Sequence, residues 1–387
     1  MGTQQYSAEL NVALAAVHAA SLLTKTVLRS LHNQVAAETK ADDSPVTIAD
    51  FAAQALLISA LHAVYPDDGF IGEESADALR LNDALADRVW QLVLRAKEDA
   101  HAAHHGSSGV QQQQQQQALV VFPASKEDML DHIDRGGKGE VTGQGRVWVM
   151  DPIDGTATFM QGQQYAVALC LLVDGVEHVG VVGCPNLAFL DMDAAAGAAG
   201  AAGAVREDDV DTAGYGVVLS AVKGHGTHVR AMKQDSLGQG RLVDLAALPT
   251  KPLAALTFVE APLGKTSLAQ DEHKAVADLL GSPSWPGTLL WSQQIKYVAL
   301  TLGATDVMLR IPKTKARYTH IWDHAGGHIL FHEAGGIIRD FDGQPIDFAR
   351  GRRITGDVNH GMIAAMPDVF DRLREAVNEV LKRRRHR

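Results

Sequence analysis

Three β-type runs in the middle of the chain constrain its fold most. Residues 165–173 and 176–182 are rich in apolar and β-branched side chains, and Asp174-Gly175 between them is a dipeptide that tight hairpin turns prefer. Upstream, Arg146-Val-Trp-Val-Met150 is a compact apolar strand that runs directly into Asp151. The sequence therefore predicts an antiparallel hairpin and, before it, a buried strand that ends on a carboxylate.

Helical patterns flank these strands. Apolar residues recur on one helical face across residues 7–36, and the segment from Asp50 onward is rich in helix formers, so that Asp50 can cap free amides or point elsewhere. The sequence predicts a helix over residues 322–334, with Asp323 as a candidate N-cap. A last amphipathic helix is predicted from 367 to about 382.

Composition and charge exclude several classes of protein. A chain of 387 residues with 46% apolar residues can bury a large core. The formal net charge of -11 argues against nucleic acid or an anionic membrane as the main partner. Cys170 and Cys184 lie in or at the end of apolar stretches, which favours buried thiols in a reducing compartment over a disulfide.

The two ends of the chain bear on its expected location in the cell. The first residues lack a basic segment followed by an apolar run, and no apolar run reads as membrane-spanning, so a soluble cytoplasmic protein is expected. The basic end 382–387 resembles a nuclear signal, but favourable charge at a helix C-terminus is the preferred interpretation.

Two low-complexity stretches divide the chain. Residues 96–118 include seven consecutive glutamines and too little apolar surface to offset ordering entropy, which predicts a disordered insertion. An Ala/Gly stretch at 194–204 predicts a linker or loop. The predicted organisation is an N-terminal α+β domain over 1–186, a low-complexity loop over 187–213 and a C-terminal α/β domain over 214–387.

Carboxylates follow the apolar strand. In Asp151-Pro-Ile-Asp154-Gly155-Thr156, two carboxylates and a backbone carbonyl emerge where the chain must turn, and hard oxygen ligands on a rigid turn suit Mg²⁺. The amides of Gly155 and Thr156 offer an anion site if they begin a helix. The alternative is that Asp-Pro and Asp-Gly are only turn residues.

Further acidic and histidine residues have two interpretations each. Glu73 and Glu74 follow a short predicted strand, 69–72, and alone would be a solvated acidic pair. His324, His328 and His332 recur every four residues on one predicted helix, a spacing that suits a transition metal but more often marks a packed helix face.

Four motifs together carry a family resemblance. Their order along the chain resembles the signature of the inositol monophosphatase superfamily. The motifs are Thr47-Ile-Ala-Asp50, Gly72-Glu-Glu-Ser75, Asp151-Pro-Ile-Asp-Gly-Thr156 and Trp322-Asp-His-Ala-Gly326.

This resemblance implies a fold, a cofactor and roles for individual residues. The implied fold is α+β, a layered αβαβα sandwich of the inositol monophosphatase and fructose-1,6-bisphosphatase type, and the implied cofactor is Mg²⁺. In the family pattern, residues at the positions of Asp50 and Thr156 orient and deprotonate the attacking water. The implied metal ligands are Glu73, Asp151, the Ile153 carbonyl, Asp154 and Asp323.

Within the superfamily the chain most resembles the 3'(2'),5'-bisphosphate nucleotidases. The supporting segments are Ser44-Pro-Val-Thr47, Gln164-Tyr-Ala-Val167 leading to Gly183-Cys-Pro-Asn186, Gln294-Ile-Lys296-Tyr297 and Met308-Leu-Arg310-Ile-Pro312. The substrate-binding positions implied by the resemblance are Gly155, Thr156, Gln293, Lys296, Arg310 and Asp323. Two cations, Lys296 and Arg310, are what a second phosphate beside an acidic centre requires.

Some segments depart from the nucleotidase pattern. Ala157-Thr-Phe-Met-Gln161 replaces a segment that usually carries two cations, and Lys265-Thr-Ser-Leu268 stands where a His-Ser element is usual near the adenine. The recognition of a purine is therefore left open by the sequence.

The function that the resemblance implies is hydrolysis of the 3'-phosphate of adenosine 3',5'-bisphosphate and of its sulfated relative by metal-activated water. The resemblance also implies inhibition by Li⁺. An alternative within the superfamily is an inositol phosphate phosphatase. An alternative of another class is a catalytically silent nucleotide-sensing protein, whose mark would be a lost metal ligand.

Overall fold

The computed structural model describes residues 5–33, 45–106, 120–188 and 205–385. Its helices are α1 Ser7–Asn33, α2 Pro45–Val64, α3 Asp77–Leu81, α4 Asp83–Gly106, α5 Lys126–Gly137, α6 Thr156–Met160, α7 Gln270–Leu279, α8 Gln293–Thr301, α9 Ala325–Glu333 and α10 Pro367–Arg385. Its strands are β1 Gly69–Gly72, β2 Arg146–Asp154, β3 Ala166–Val173, β4 Val176–Cys184, β5 Val217–Val222, β6 Thr227–Ala231, β7 Arg241–Val243, β8 Phe258–Glu260, β9 Thr288–Leu289, β10 Val307–Arg310, β11 Thr319–His320, β12 Ile337–Arg339, β13 Arg353–Ile354 and β14 Met362–Ala365.

The first sheet contains seven strands in the order of the chain, β1 to β7. β1 and β2 run parallel, and each later neighbour is antiparallel to the one before it. The predicted hairpin is confirmed as β3 and β4. Asp174 and Gly175 adopt φ angles of 51° and 77°, the left-handed pair of conformations that a two-residue hairpin turn requires.

Five layers stack across the molecule. α1 and α2 pack on one face of the seven-stranded sheet, and α8 and α9 pack on its other face. The same two helices contact a second sheet of order β12-β14-β10-β8-β9, and α10, with α7 beside it, covers the outer face of that sheet. The αβαβα arrangement that the resemblance implied is therefore confirmed.

Strand periodicity explains why the β3 sequence is apolar at nearly every position. Leu169 and Leu171 face the core under α1 and α2, whereas Ala168, Cys170 and Leu172 face the core shared with α8 and α9. A strand covered on both faces needs apolar residues on both. Cys170 and Cys184 are both free thiols and buried, as expected.

Two predicted helix boundaries were wrong. α2 begins at Pro45, so Asp50 lies inside the helix with its side chain buried, and it does not cap the N-terminus. α4 extends to Gly106, so residues 96–106 are helical and do not belong to a disordered insertion. The rest of that insertion with its glutamine run, the Ala/Gly stretch at 194–204 and Ser44 lie outside the described residues.

The division of the chain also differs from the prediction. β5 pairs with β4 across the proposed boundary near Gly214, so the seven-stranded sheet continues to Val243. The change from the first sheet to the second falls between Val243 and Phe258. Local composition marked a loop, but the pairing of strands on either side of it keeps them in one sheet.

α1 is long and apolar enough, over Ser7–Leu31, to cross a membrane by length and composition alone. In the structure, 72% of its most apolar window is buried inside the protein. Its apolar residues therefore contribute to the core of this fold, as those of a core helix do.

Arg352 connects the end of β1 to the segment that precedes Asp323. Its guanidinium donates to the carbonyl oxygens of Gly72 at 2.6 Å, Gly136 at 3.0 Å and Gly139 at 3.1 Å. Its Cζ also lies 4.7 Å from the centre of the Trp322 ring. One side chain thus holds the residue before Glu73 against the residue before Asp323.

We predict that Arg352→Met lowers the free energy of unfolding by about 1–3 kcal/mol, because three carbonyl groups lose a charged donor. Urea denaturation measures the change. The control is Arg350→Met, because the Arg350 side chain is 69% exposed and forms a surface pair with Asp347. A change for Arg352→Met no larger than that for Arg350→Met would contradict this role.

Candidate metal and phosphate site

Two strand ends bring the first acidic residues together. β1 and β2 are parallel, with Gly72 opposite Met150, so Glu73, directly after β1, and Asp151, within β2, follow neighbouring paired residues at the carboxyl end of β1. The β2–β3 register shifts between Asp151 and Asp154, and Asp154 then pairs with Ala166. This irregularity lets both aspartates of one short motif remain at the same edge.

Asp151 is the most confined of these carboxylates. It is 2% exposed, and its Oδ1 atom is buried with no hydrogen-bond partner among the described residues. Burial, followed by the charges of Glu73, Asp154, Asp323 and Asp50, raises the pKa of Asp151 well above its usual range. Four carboxylates from separate segments therefore lie close enough to repel a fifth.

Asp50 reaches the same place from α2. Its side chain is buried, and burial together with the charges of Glu74 and Glu73 raises its pKa well above the usual range. The side chain of Gln54, one helical turn later, fixes the neighbouring loop by accepting from the Glu74 amide at 3.0 Å and donating to the Glu74 carbonyl at 2.6 Å.

Asp154 is held by the first turn of α8. Its Oδ2 accepts a hydrogen bond from the Ser292 hydroxyl and another from the Gln294 amide at 2.5 Å. Ser292 is also the N-cap of α8, since its oxygen accepts from the Ile295 amide at 3.1 Å. Burial raises the pKa of Asp154 to about 6, although these donors oppose the shift.

Asp323 precedes α9 but does not cap it, because the N-cap position is His324. Its Oδ2 accepts from the Thr319 hydroxyl at 2.9 Å and from the His320 amide at 3.2 Å. Gln294 ties this segment to α8 by donating to the Trp322 carbonyl at 2.8 Å. α8 therefore positions both Asp154 and the segment that carries Asp323.

Glu73 lies at the open side of the cluster. The pKa of Glu73 is raised to about 7, first because the surrounding protein removes water from its carboxylate and then because Glu74, Asp323 and Asp154 are negatively charged. The positive charge of Arg352 opposes this rise in pKa. The Glu73 side chain is otherwise exposed, so it remains accessible to an ion from solvent.

The turn after Asp154 has the expected conformation. Gly155 adopts a φ of 96°, and α6 begins at Thr156. The Thr156 hydroxyl donates to the Ile153 carbonyl at 3.3 Å, which places both groups at this turn. A residue with a Cβ would be strained at Gly155 because of its positive φ.

Cations border the acidic cluster on one side. Lys296 lies one turn into α8, is 6% exposed and donates to the Trp291 carbonyl at 3.3 Å. Burial, then the charge of Arg310, lowers the pKa of Lys296 to about 8. Arg310 donates to the Gln293 side-chain oxygen at 2.5 Å and to the Thr319 hydroxyl at 3.3 Å.

The donor set fits a hard divalent cation. The unpartnered oxygen of Asp151 and the mutual repulsion of its neighbours are both relieved by positive charge. No three His, Cys, Asp or Glu side chains in the described ranges stand ready to ligate one ion together. Mg²⁺ needs no such cage, because it commonly takes one or two protein carboxylates and completes its shell with water and phosphate oxygens.

The predicted histidine stripe has other contacts. His324 is fully buried between Tyr297 and Thr319, at 2.8 Å and 2.9 Å, and His328 lies 2.5 Å from Glu177. Across the described ranges no transition-metal cluster forms at these residues. The packed interpretation of the stripe is therefore the better one.

Sequence reasoning missed the role of the residues that hold the acidic ones in place, although one of them, Gln294, belongs to a segment that supports the resemblance. These residues are Gln54, Ser292, Gln294, Thr319 and Arg352. Ser292 could have been found as an N-cap, since it precedes a helix-forming segment. Its bond to Asp154 could not, because the two residues are 138 positions apart in the chain.

Comparisons with known proteins identify the family of this chain. The inositol monophosphatase family profile matches residues 5–368. The 3'(2'),5'-bisphosphate nucleotidase of Emericella nidulans is 39% identical over 380 residues, covering 97% of this chain and 99% of the relative. The corresponding protein of Schizosaccharomyces pombe is 35% identical over 384 residues, covering 98% of both.

Solved structures show the same fold. Inositol monophosphatase II of Staphylococcus aureus superposes with a TM-score of 0.54 at 16% identity, covering 97% of this chain and 94% of that one. The enzyme class expected from the sequence, a phosphoric monoester hydrolase, is confirmed by these relationships. The chain belongs to the inositol monophosphatase family.

Proposed function

We propose that this enzyme is a Mg²⁺-dependent 3'(2'),5'-bisphosphate nucleotidase. It would hydrolyse adenosine 3',5'-bisphosphate to AMP, and 3'-phosphoadenylyl sulfate to adenylyl sulfate, with release of phosphate. The observation that carries the proposal is the buried, unpartnered oxygen of Asp151 among converging carboxylates, with Lys296 and Arg310 beside them.

Each residue of the site has a proposed role. Magnesium would be held by Glu73, Asp151, the Ile153 carbonyl, Asp154 and Asp323. When bound, the ion lowers the pKa of water and neutralises charge on phosphoryl oxygens. Asp50 accepts the proton of the attacking water, and its burial favours the protonated form that results. Thr156 orients that water, and the Gly155-Thr156 turn faces the phosphate.

The cationic side supplies the substrate contacts. Lys296 is buried at a cost to its charged form, and an anionic ligand offsets that cost. Arg310 presents a planar fork, and Gln293 orients it through a 2.5 Å hydrogen bond. A substrate with a second phosphate can contact both cations while its first phosphate lies at the carboxylates. We place the reaction in the cytoplasm.

An inositol phosphate phosphatase is the second candidate, because its substrates share the phosphate monoester but lack the base. A silent nucleotide-sensing protein is a third, and it is disfavoured because each proposed ligand position retains its oxygen donor.

A substrate panel tests the proposal. Phosphate release is measured with Mg²⁺ from adenosine 3',5'-bisphosphate, its sulfated form and inositol monophosphate. The proposal expects the highest kcat/KM for the two nucleotides. Preference for inositol monophosphate would select the second candidate, and no release from any of them would select the third.

Asp151→Asn should abolish Mg²⁺-dependent turnover and yet stabilise the metal-free protein, because it removes a buried charge that repels its neighbours. Mg²⁺ should raise the thermal midpoint of the wild type but not of the variant. Differential scanning calorimetry in EDTA and in Mg²⁺ measures both effects.

Asp340→Asn is the matched control, because Asp340 is equally buried at 2% exposure but accepts bonds from Asn359, Asp342 and Gln344. It should destabilise the metal-free protein and leave the Mg²⁺ effect unchanged. Retained turnover in Asp151→Asn would count against the metal assignment.

The effect of Mg²⁺ should depend on pH. The pKa values of Glu73, about 7, and Asp154, about 6, are raised by folding, so without metal their contribution to stability is present at low pH and is lost as the pH rises through these values. A bound cation selects the ionised forms.

The Mg²⁺-induced rise in thermal midpoint should therefore be large near about pH 8 and small near about pH 5.5. An equal rise at both pH values would contradict the involvement of these two carboxylates.

Li⁺ is expected to inhibit turnover, as in the family that the motifs resemble. Titration of LiCl at fixed Mg²⁺ measures this, with NaCl at the same concentration as the control for ionic strength. Identical rates in the two salts would show that the expected sensitivity is absent.

A further inference from the structure

Thr319 lies at the junction between the acidic and the cationic sides of the site. It begins the short strand β11, and its hydroxyl oxygen has three polar neighbours. Asp323 Oδ2 and His324 Nε2 each lie 2.9 Å away, and an Arg310 guanidinium nitrogen lies 3.3 Å away. A half-buried hydroxyl with three such neighbours has a defined orientation.

The chemistry of the neighbours assigns the hydroxyl proton. Arg310 can only donate, and an ionised carboxylate can only accept. Thr319 has one proton, so that proton goes to Asp323, and the hydroxyl oxygen accepts from Arg310. His324 must then also donate, which places its proton on Nε2.

The contact of the other ring nitrogen of His324, Nδ1, is consistent with this proton assignment. With the proton on Nε2, Nδ1 of a neutral ring is an acceptor, and the Tyr297 hydroxyl lies 2.8 Å from it. The donors therefore run in one direction, from Tyr297 through His324 and Thr319 to Asp323.

We propose that Thr319 is a positioning residue that joins the two halves of the site: its proton orients Asp323 towards the divalent cation, and its oxygen orients Arg310 towards the second phosphate. The inference rests on the proposed function and deepens it. Loss of the hydroxyl leaves Asp323 without its side-chain donor and Arg310 without one acceptor.

The test compares three substitutions in the full-length protein. Thr319→Val removes the hydroxyl at nearly constant volume, and Thr319→Ser retains it. Thr301→Val is the matched control, because the Thr301 hydroxyl is fully buried and donates at 2.7 Å to the Tyr297 carbonyl, within α8. Titration calorimetry with Mg²⁺ alone gives the cation affinity without turnover.

Thr319→Val should weaken Mg²⁺ binding roughly tenfold, the effect typical of losing a partner that orients a metal ligand. Thr319→Ser and Thr301→Val should bind within about twofold of the wild type, since both keep the Asp323 donor. Thr319→Val should also lose part of the preference in kcat/KM for adenosine 3',5'-bisphosphate over adenosine 3'-monophosphate, which lacks the second phosphate.

Unchanged Mg²⁺ affinity in Thr319→Val, or an equal loss in Thr319→Ser, would overturn the proposal. If Thr319→Val does not fold, as judged by its thermal unfolding, Thr319→Ala gives the same comparison. Calorimetry separates this proposal from the proposed function: a wild type that binds Mg²⁺ but hydrolyses neither nucleotide refutes the function, while the Mg²⁺ affinities of the variants still decide the role of Thr319.

Discussion

Repulsion among carboxylates in a poorly hydrated pocket is the constraint on which the rest of the structure depends. Asp50, Asp151 and Asp154 are buried, and Glu73 and Asp323 add charge at close range. Burial and like charges each raise the pKa values of such groups, so the metal-free arrangement is unfavourable at neutral pH. A large five-layered core is what lets the fold tolerate it.

The central helical layer organises the site. The N-cap and a first-turn amide of α8 donate hydrogen bonds to Asp154. The Gln294 side chain of the same helix donates to the segment before Asp323, and Lys296 lies on the cationic side of the site. Because these residues lie within two turns of one helix, their relative positions are fixed by backbone geometry. Arg352 then joins the end of β1, before Glu73, to Trp322, so that the segments before Glu73 and Asp323 are held together. Rigid elements of this kind hold site residues more precisely than loops do.

Local sequence signals predicted the parts of the fold that local physics determines. The hairpin at Asp174-Gly175 was predictable because its turn requires particular residues. β2 was predictable from its apolar run, but the strand continues past Asp151, where it was predicted to end, to Asp154. The start of α2 was missed although Ser44-Pro45 in the sequence is a start signal, because Pro suits the first position of a helix. Helix α4 continues into a polar sequence whose composition alone suggested disorder.

The acidic residues were predicted through their motifs, but their supports were not. Thr319 contacts Asp323 four positions away, but its contact with Arg310 joins residues from two strands, β10 and β11, that are not paired with each other. Arg352 contacts Gly72 across 280 positions. Such contacts are set by tertiary packing, and no pattern of period two or 3.6 in the sequence carries them.

The central claim is that these carboxylates bind divalent cations beside a phosphoryl group, and anomalous diffraction from crystals soaked in Mn²⁺ tests it most directly. Mn²⁺ takes the same oxygen ligands as Mg²⁺ and is located by its own scattering. The account predicts an anomalous peak within about 2.5 Å of the Asp151 carboxylate, with Glu73 or Asp154 as a second ligand. A peak only elsewhere on the protein, or none at saturating Mn²⁺, would contradict it.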